Sequence, residues 1–591
     1  MPLIGAFSPR VLFFLANSIL VFYLSLVSAY KWPSPQYDPL EETLYQGGTT
    51  FTSFFNKEEC RKRSSPRTFV AAEWIRLAYH DSATHDITYG TGGLDASIFH
   101  ELDRPENSGA GMINAISDFK FAPNKYVSRA DVIAIGTVFS SATCGGPIIP
   151  FRGGRKDAQE AGPSAVPAPS QDLATHIEKF RLQGFTQEEM IGLVACGHTF
   201  GSVRSSDFPG LVEGDPNDKS GVGLAFFDRS RRFDNAIATE YLDGTTQNPL
   251  VVSPNSRLTS DKRIFGSDGN VTMQRSIPRA LHFIIIINES NFYSFESREF
   301  FMQTCSRLLA RMIDNVPNNV ALTEVITLLP AKVTEAYITV VRSQLLFKTT
   351  LRLAQPQNTT IPNNRSVKML WCNKRGEFKD CSGAHINMAS RPACGSFPST
   401  TVTRRLGVDL LKYEFAAPIL ASESVGKFWF ELDEGDGSTS TVLDNGGGGY
   451  LLETDEIIYV PWFSTARENG EDTQSQAFDL TFVAGIRSEL SPTSATLNTY
   501  TNSEDGVIGP PQTPVLPLTH YPDRLLVEGY EWYQAPVINK ISDGFQFSVD
   551  LEVMLADGAS HKFDFGQTRS IDGEEGLDTL ISEVTVGSGG D

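Results

Sequence analysis

The sequence predicts a mainly helical domain followed by a separate all-β, sandwich-like domain. At 591 residues the chain is longer than one hydrophobic core normally organises. Apolar residues recur at helical spacing from about residue 66 to residue 312. After about residue 330, short β-rich runs alternate with turns rich in Gly, Asp, Asn and Pro. We therefore expect one domain over residues 30–332 and a second over residues 333–591.

Particular segments support each half of this prediction. Phe69, Ala72 and Ile75 are spaced so that they share one face of a helix. Thr186 and Glu189 form a capping box, which predicts a helix start that leads toward His198. Many short strands separated by turns favour an antiparallel sandwich or barrel in the second half. The predicted strands cover residues 337–341, 367–371, 427–432, 457–463, 478–483 and 545–554.

The charge balance argues against nucleic acid as a partner. The chain has 50 basic and 70 acidic residues, which gives a formal net charge of -20. A surface with this excess repels phosphate backbones. Hydrophobic residues make up 40% of the chain and charged residues 20%, as in ordinary globular proteins. Neither a disordered nor a fibrous protein is therefore expected.

The first thirty residues resemble a secretory signal. Arg10 supplies a positive charge, residues 11–27 are almost all apolar, and small residues follow at positions 27–29. A membrane anchor is the alternative, but Asn and Ser residues interrupt the run. We expect residues 1–29 to be removed and the mature protein to be secreted, without a membrane contact. Four glycosylation sequons agree with export, at Asn270, Asn288, Asn358 and Asn364.

The chain has seven cysteines, which in an exported protein are expected to pair with one left over. Cys372 and Cys381 flank a short turn and are expected to close a hairpin. The spacing of the other cysteines does not determine their connectivity.

Arg76 and His80 are the first candidates for chemistry. Positions four apart share a helix face, so both side chains are expected to point into the same space. A neutral imidazole accepts and returns protons near neutral pH, and an adjacent guanidinium lowers its pKa and keeps it available as a base. For an isolated Arg and His pair, a solvated polar face is the alternative. Asn107 supplies an amide that would orient His80.

Oxygen-bearing residues follow directly. Asp81 comes after His80, and Gly93, Asp95 and Ser97 stand a dozen residues further on. Carboxylates, a hydroxyl and a glycine carbonyl are the hard ligands that calcium prefers. A glycine-rich turn in which Asp caps the next helix is the alternative.

His198 stands near the predicted end of its helix, where histidine either coordinates a metal or caps the helix. Asp261 lies in an apolar neighbourhood and requires a partner. If that partner is the second ring nitrogen of His198, the carboxylate would raise the basicity of a metal ligand.

These segments together resemble the plant, fungal and bacterial haem peroxidase superfamily, across about residues 68–329. The distal Arg and His, the calcium loop, the distal Asn, the segment over residues 151–157, the proximal His and the proximal Asp stand in family order. The resemblance implies haem b held by His198 with Asp261 behind it. It also implies that His80 is the acid and base, that Arg76 stabilises charge, and that Asn107 orients His80.

The resemblance also implies two calcium ions and one further disulfide. The distal ion would take Asp81, Gly93, Asp95 and Ser97. Cys144 and Cys60 would form the disulfide. The loop of the second, proximal ion is one residue shorter than in the family, and its ligands would be Thr199, Asp228, Ser230 and Asp234.

The implied activity is reduction of hydrogen peroxide with oxidation of small phenols or aromatic amines, in a fungal class II-like or hybrid-type secreted enzyme. Tyr79 departs from the distal Trp or Phe of related classes, and Phe227 replaces the radical-forming Trp of cytochrome c peroxidases. This argues against cytochrome c as the reductant. The alternative is a secreted wall-associated or carbohydrate-binding protein that retains the fold, with a β domain that contacts polysaccharide through Trp429, Trp462 or Trp532. Each of these tryptophans is equally expected in a core.

Overall fold

The computed structural model describes fifteen stretches of the chain. The predicted signal peptide, the sequon at Asn288, the seventh cysteine Cys394 and Trp462 lie outside them. The described residues are 30–47, 60–64, 67–119, 122–213, 223–274, 297–341, 344–381, 383–389, 399–452, 454–460, 465–469, 477–500, 514–521, 527–539 and 548–567.

The first half of the described chain is mainly helical, as the sequence predicts. Its helices are α1 (Asp38–Tyr45), α2 (Val70–Ser82), α3 (Ala110–Phe119), α4 (Arg129–Thr143), α5 (Leu173–Leu182), α6 (Gln187–Gly197), α7 (Ala236–Leu242), α8 (Pro249–Val252), α9 (Ser260–Phe265), α10 (Val271–Gln274) and α11 (Arg298–Asp314). A short hairpin pairs β1 (Ser202–Arg204) with β2 (Leu224–Phe226).

One hydrophobic core joins these helices. In α2, Leu77 and Ala78 are completely buried, because the apolar residues of this helix face α4 and α3. The capping box at the start of α6 is present, with Thr186 and Glu189 each bonding the backbone of the other. None of the described helices has the length and apolar character needed to cross a membrane.

Two disulfides fasten the helical half. Cys60 bonds Cys144, as the resemblance implied. Cys196, near the end of α6, bonds Cys305 in the middle of α11, a pairing that the sequence left open. The predicted Cys372–Cys381 disulfide is also present, in the second half of the chain.

The second half is built from antiparallel strands. They are β3 (Ala331–Val341), β4 (Gln344–Pro356), β5 (Ser366–Cys372), β6 (His385–Ala389), β7 (Val408–Pro418), β8 (Lys427–Asp433), β9 (Thr441–Leu443), β10 (Tyr450–Leu451), β11 (Ile457–Tyr459), β12 (Thr465–Asn469), β13 (Ala477–Arg487), β14 (Pro492–Tyr500), β15 (Val515–Pro517), β16 (Thr519–His520), β17 (Tyr530–Asn539), β18 (Ser548–Leu555) and β19 (Ser560–Gln567). A short helix, α12 (Thr401–Arg405), interrupts them.

These strands pack as two sandwiches rather than one. In the first, the sheet β3-β4-β7 covers the sheet β10-β8-β5-β6, and Phe347 and Tyr413 meet Phe428 in their common core. In the second, the sheet β11-β13-β17-β16 covers β15-β14-β18-β19, with Phe482 and Leu551 in the core. A further apolar cluster joins the two sandwiches. Strand periodicity predicts such strands but not which sheets share a core.

A buried ion network ties the N-terminal segment to the β half. Glu41 of α1 accepts hydrogen bonds from Arg352 Nη1 at 2.9 Å and from Lys332 Nζ at 3.0 Å. All three residues are at most 1% exposed. Burial alone would raise the pKa of Glu41, but Lys332 and Arg352 outweigh it and lower the pKa. The helix that precedes the helical core therefore also packs on the first sandwich.

Candidate functional site

A cavity of about 550 Å³ lies inside the helical half. His80 of α2 and His198 at the end of α6 both line it, although 118 positions separate them along the chain (198 less 80). Its volume is within the range of small-molecule and cofactor sites. The structure therefore brings the two predicted histidines together at one cavity.

The distal side of the cavity is organised around His80. Its Nδ1 lies 2.8 Å from Asn107 Oδ1, and Asn107 Nδ2 donates to the Glu101 carbonyl at 2.9 Å. Because the Asn107 amide is fixed in this way, its oxygen faces the ring and favours a proton on Nδ1. Nε2 is then the ring nitrogen left to accept a proton.

Arg76 lies one turn before His80 on α2 and lines the same cavity. Its Nη2 donates to the Ser108 carbonyl at 2.9 Å and to the Glu106 carbonyl at 3.4 Å. Burial lowers the pKa of Arg76 to about 10, so the guanidinium stays charged at neutral pH. Burial, together with the Arg76 charge, lowers the pKa of His80 to about 3. His80 is therefore a neutral base near pH 7.

The proximal side is organised around His198, the C-cap residue of α6. Its Nδ1 lies 2.8 Å from Asp261 Oδ2, as predicted. Asn248 Nδ2 donates to the same carboxylate oxygen at 2.7 Å, while Asn248 Oδ1 caps the start of α8. Asn248 was not predicted from the sequence. The Asn-Pro pair at residues 248–249 signals a helix start, but nothing local signals the bond to Asp261.

Aromatic rings pack beside both histidines. The Phe227 ring stacks on His198 with centroids 4.4 Å apart and an interplanar angle of 12°. Tyr79 stacks on Phe180 with centroids 5.9 Å apart, next to His80. Both departures from the family pattern therefore lie at the cavity wall.

One part of the cavity wall fits the carboxylates of a porphyrin. Ser202 Oγ and Arg204 Nε, both on β1, line the cavity and are buried without a hydrogen-bond partner in the described chain. Arg204 Nε lies 3.9 Å from Asp207 Oδ2, which is near enough for an ion pair but too far for a hydrogen bond. Buried donors of this kind are normally paired. The cavity thus offers two histidines and unpaired donors for a carboxylate-bearing cofactor, as haem requires.

The predicted distal calcium residues lie together behind His80. Asp81 Oδ1 accepts from Ile98 N at 2.9 Å and from Ser97 Oγ at 3.5 Å, and Asp95 Oδ1 accepts from Ser97 N at 3.1 Å. The Gly93 carbonyl accepts from Asp95 N at 2.9 Å. Burial raises the pKa of Asp81, as does the neighbouring Asp95 carboxylate.

The predicted proximal calcium residues also meet. Ser230 Oγ lies 3.0 Å from Asp228 Oδ1 and 3.1 Å from Asp234 Oδ1, so that its one proton is shared between the two carboxylates, and Thr199 Oγ1 accepts from the Asp234 backbone N–H. Burial raises the pKa of Asp228 to about 7, with Asp234 and Glu240 adding to the effect. Asp228 Oδ2 is buried, and no described residue donates to it.

Within the described stretches, no group of three or more His, Cys, Asp or Glu side chains is arranged to hold a metal ion. The two oxygen clusters contain two Asp carboxylates each, with hydroxyl and carbonyl oxygens as the other candidate ligands.

The comparisons with known proteins agree with the site. A family model described as Peroxidase matches residues 57–275. A "WSC domain-containing protein" of Arthroderma benhamiae is 33% identical over 308 residues, which is 49% of this chain and 38% of that protein. "L-ascorbate peroxidase 5, peroxisomal" of Arabidopsis thaliana is 33% identical over 194 residues, 32% of this chain and 64% of the relative. "Cytochrome c peroxidase, mitochondrial" of Yarrowia lipolytica is 34% identical over 147 residues, 23% of this chain and 42% of the relative.

The chain therefore spans less than two thirds of the length of each of these relatives. The matched residues 57–275 contain the distal Arg76, His80 and Asn107 as well as the proximal His198 and Asp261. The helical domain in the first half of this chain therefore matches the Peroxidase family model and is similar to haem peroxidases.

Proposed function

We propose that the protein is a haem peroxidase that reduces hydrogen peroxide and oxidises small phenols or aromatic amines. The observation that carries this proposal is the pair of histidines at one cavity, each with its Nδ1 engaged. His80 is held by an amide and His198 by a carboxylate. An amide partner suits a ring that exchanges protons, and a carboxylate partner suits a ring that binds metal.

The haem, when bound, supplies the redox chemistry that splits the O–O bond of hydrogen peroxide. His80 Nε2 accepts a proton from the peroxide and returns it to the departing oxygen, which leaves as water. Arg76 stabilises the negative charge that develops on that oxygen. Asn107 holds the His80 ring in the tautomer that this transfer needs.

His198 would hold the haem iron. Asp261 accepts a hydrogen bond from its Nδ1, which raises the basicity of the other ring nitrogen. Asn248 fixes the carboxylate in place. Ser202 and Arg204 would donate to the haem carboxylates, since both donors line the cavity unpaired.

Two calcium ions are part of the proposal. The distal ion would bind Asp81, Gly93, Asp95 and Ser97, where two buried carboxylates lie close together. The proximal ion would bind Thr199, Asp228, Ser230 and Asp234. A cation in each cluster would offset the burial and the neighbouring negative charge that raise the pKa of Asp81 and Asp228.

We also propose that the mature protein is secreted and that its β half contacts polysaccharide. Three disulfides within the described chain support export. Trp532 is buried in the β core, whereas Trp429 is partly exposed. Trp429 pairs across the sheet with Leu370, which pairs in turn with the exposed Ile386. Trp429 and Ile386 therefore share one face of the sheet with the buried Leu370 between them, and a partly exposed tryptophan on such a face suits contact with a sugar ring. Retention of the secreted protein on insoluble glucan or chitin, and its loss in Trp429→Ala, tests this contact.

The central test is a haem titration of the purified full chain followed by a peroxidase assay. We expect a Soret band that saturates at one haem per chain, and peroxide-dependent oxidation of guaiacol. His198→Ala should lose stable haem binding. Stoichiometric haem uptake without any peroxide-dependent oxidation would contradict the proposed activity.

A further inference from the structure

The cavity opens to solvent beside Glu106. Two exposed residues, Pro105 and Ser164, line the cavity together with the interior Arg76 and His80. A wall that contains both exposed and interior residues marks an entrance. Glu106 follows Pro105 directly and is itself only partly exposed.

Only one of the two oxygens of the Glu106 carboxylate accepts a hydrogen bond from a described residue. Ser164 Oγ donates to Oε2 at 2.7 Å. Oε1 is buried, and no donor in the described part of the chain bonds it. The backbone of Glu106 is held on the distal side, because its carbonyl accepts from Arg76 and the next residue, Asn107, orients His80. A buried carboxylate oxygen without a donor is costly, so a ligand that brings a donor gains the bond that is missing.

The segment after Ser164 supplies an apolar surface on the same cavity. Val166, Pro167 and Ala168 line the cavity, and Val166 is buried. Lys179 also lines it; its ammonium donates to the Val166 carbonyl at 2.7 Å and attracts the Glu106 carboxylate without a hydrogen bond to Oε1. Apolar side chains beside one carboxylate suit a small aromatic ring that carries a donor group.

We propose that Glu106 binds the reducing substrate. A phenol or aromatic amine donates its O–H or N–H to Oε1, and its ring packs against Val166 and Pro167. This inference rests on the proposed peroxidase function and names the residue that selects the donor.

The test compares two donors in three forms of the haem-loaded protein. Guaiacol carries a phenolic O–H, and a tetra-N-methylated aromatic diamine carries neither O–H nor N–H. The forms are wild type, Glu106→Gln and the matched control Glu160→Gln, which removes the same charge from an exposed position outside the cavity lining. Equilibrium binding of guaiacol to the resting protein is measured from the change in the Soret band, separately from turnover.

In Glu106→Gln we expect the Kd for guaiacol to rise about tenfold, because the amide oxygen still accepts a hydrogen bond but without the charge that strengthens it. The ratio of kcat/KM for guaiacol to that for the methylated diamine should fall by a similar factor. Glu160→Gln should leave both donors unchanged. An unchanged Kd and an unchanged ratio in a haem-loaded, active Glu106→Gln protein overturn the role of Glu106 alone. Failure of the wild type to bind haem or consume peroxide overturns the proposed function instead.

Discussion

His198 Nδ1 lies 2.8 Å from Asp261 Oδ2, and this bond joins two residues that are 63 positions apart. Asp261 is 1% exposed and accepts a second hydrogen bond, from Asn248. The protein's own side chains therefore fix the carboxylate from two sides. This arrangement accounts for a buried acid that the apolar neighbourhood alone would not tolerate.

Asp261→Asn should weaken the bond from His198 to the haem iron without loss of haem from the cavity. The amide keeps the shape but removes the negative charge that raises the basicity of His198, so peroxide-dependent turnover should fall about 10- to 100-fold. The haem reduction potential, measured by spectroelectrochemistry, should rise, because an electron-poorer ligand stabilises the oxidised iron less. Asp103→Asn, at an exposed position, is the control. An unchanged potential in Asp261→Asn would contradict the role given to the carboxylate.

His80→Leu should retain haem and lose most of its reaction with peroxide. A positioned acid and base contributes on the order of 10²–10⁴-fold, so stopped-flow mixing with hydrogen peroxide should show a loss in that range. The Soret band should still saturate at one haem per chain, because His198 is intact. Native-rate reaction in His80→Leu would show that another group moves the proton.

The pH dependence of the same reaction should reflect His80. The pKa of His80 is about 3 because burial and Arg76 both disfavour the charged ring. Since only the neutral ring accepts a proton, the rate should stay level as the pH is lowered from 7 and fall only near about pH 3. Arg76→Leu removes one of the two causes, so the fall should move to higher pH. The pH at which the rate falls by half is measured separately from the absolute rate. The same midpoint in Arg76→Leu and in the wild type would contradict the effect of Arg76 on the pKa of His80.

Chelation should destabilise the helical half if the two oxygen clusters bind calcium. Asp81 and Asp228 are buried carboxylates whose pKa is raised, so without a cation they favour opening of the structure at neutral pH. EGTA should lower the melting temperature, and added calcium should restore it. Asp228→Asn should reduce the effect of EGTA, and Asp103→Asn should not. A melting temperature that changes with neither EGTA nor calcium would contradict calcium binding at the two clusters.

Glu41→Gln should loosen the N-terminal segment from the β half. The substitution leaves the buried Arg352 without its counter-charge and leaves Lys332 only the more distant Asp38 carboxylate at 3.8 Å, which costs about 3–5 kcal/mol in free energy of unfolding. The pKa of Glu41 is lower in the folded protein than in the unfolded chain. Its stabilising contribution is therefore fully present above the pKa of the unfolded chain and is lost as the pH falls through the pKa of the folded protein. Urea unfolding at pH 7 and at acidic pH measures both effects. Glu42→Gln, on the same helix, should change little.

The candidate site residues could be predicted because their spacing is local or their motifs are specific. Arg76 and His80 share a helix face by spacing, and the Thr186–Glu189 capping box fixes the helix that ends at His198. Asn248, Ser202 and Arg204 could not be predicted, since each acts through a tertiary neighbour that no local pattern specifies. The same reason explains why the strands were predicted but their division into two sandwiches was not.

The Cys196–Cys305 disulfide has a consequence for the lengths of the loops between its ends. It closes a covalent ring that contains His198, Asn248 and Asp261. Cys196 stands two positions before His198, so the end of α6 stays anchored to α11 whatever happens to the intervening chain. Because the disulfide joins both ends of this ring, a change in the number of residues between Cys196 and Cys305 alters the circumference of the ring without releasing the anchor. The chain inside the ring can therefore change in length while the end of α6, next to His198, stays joined to α11.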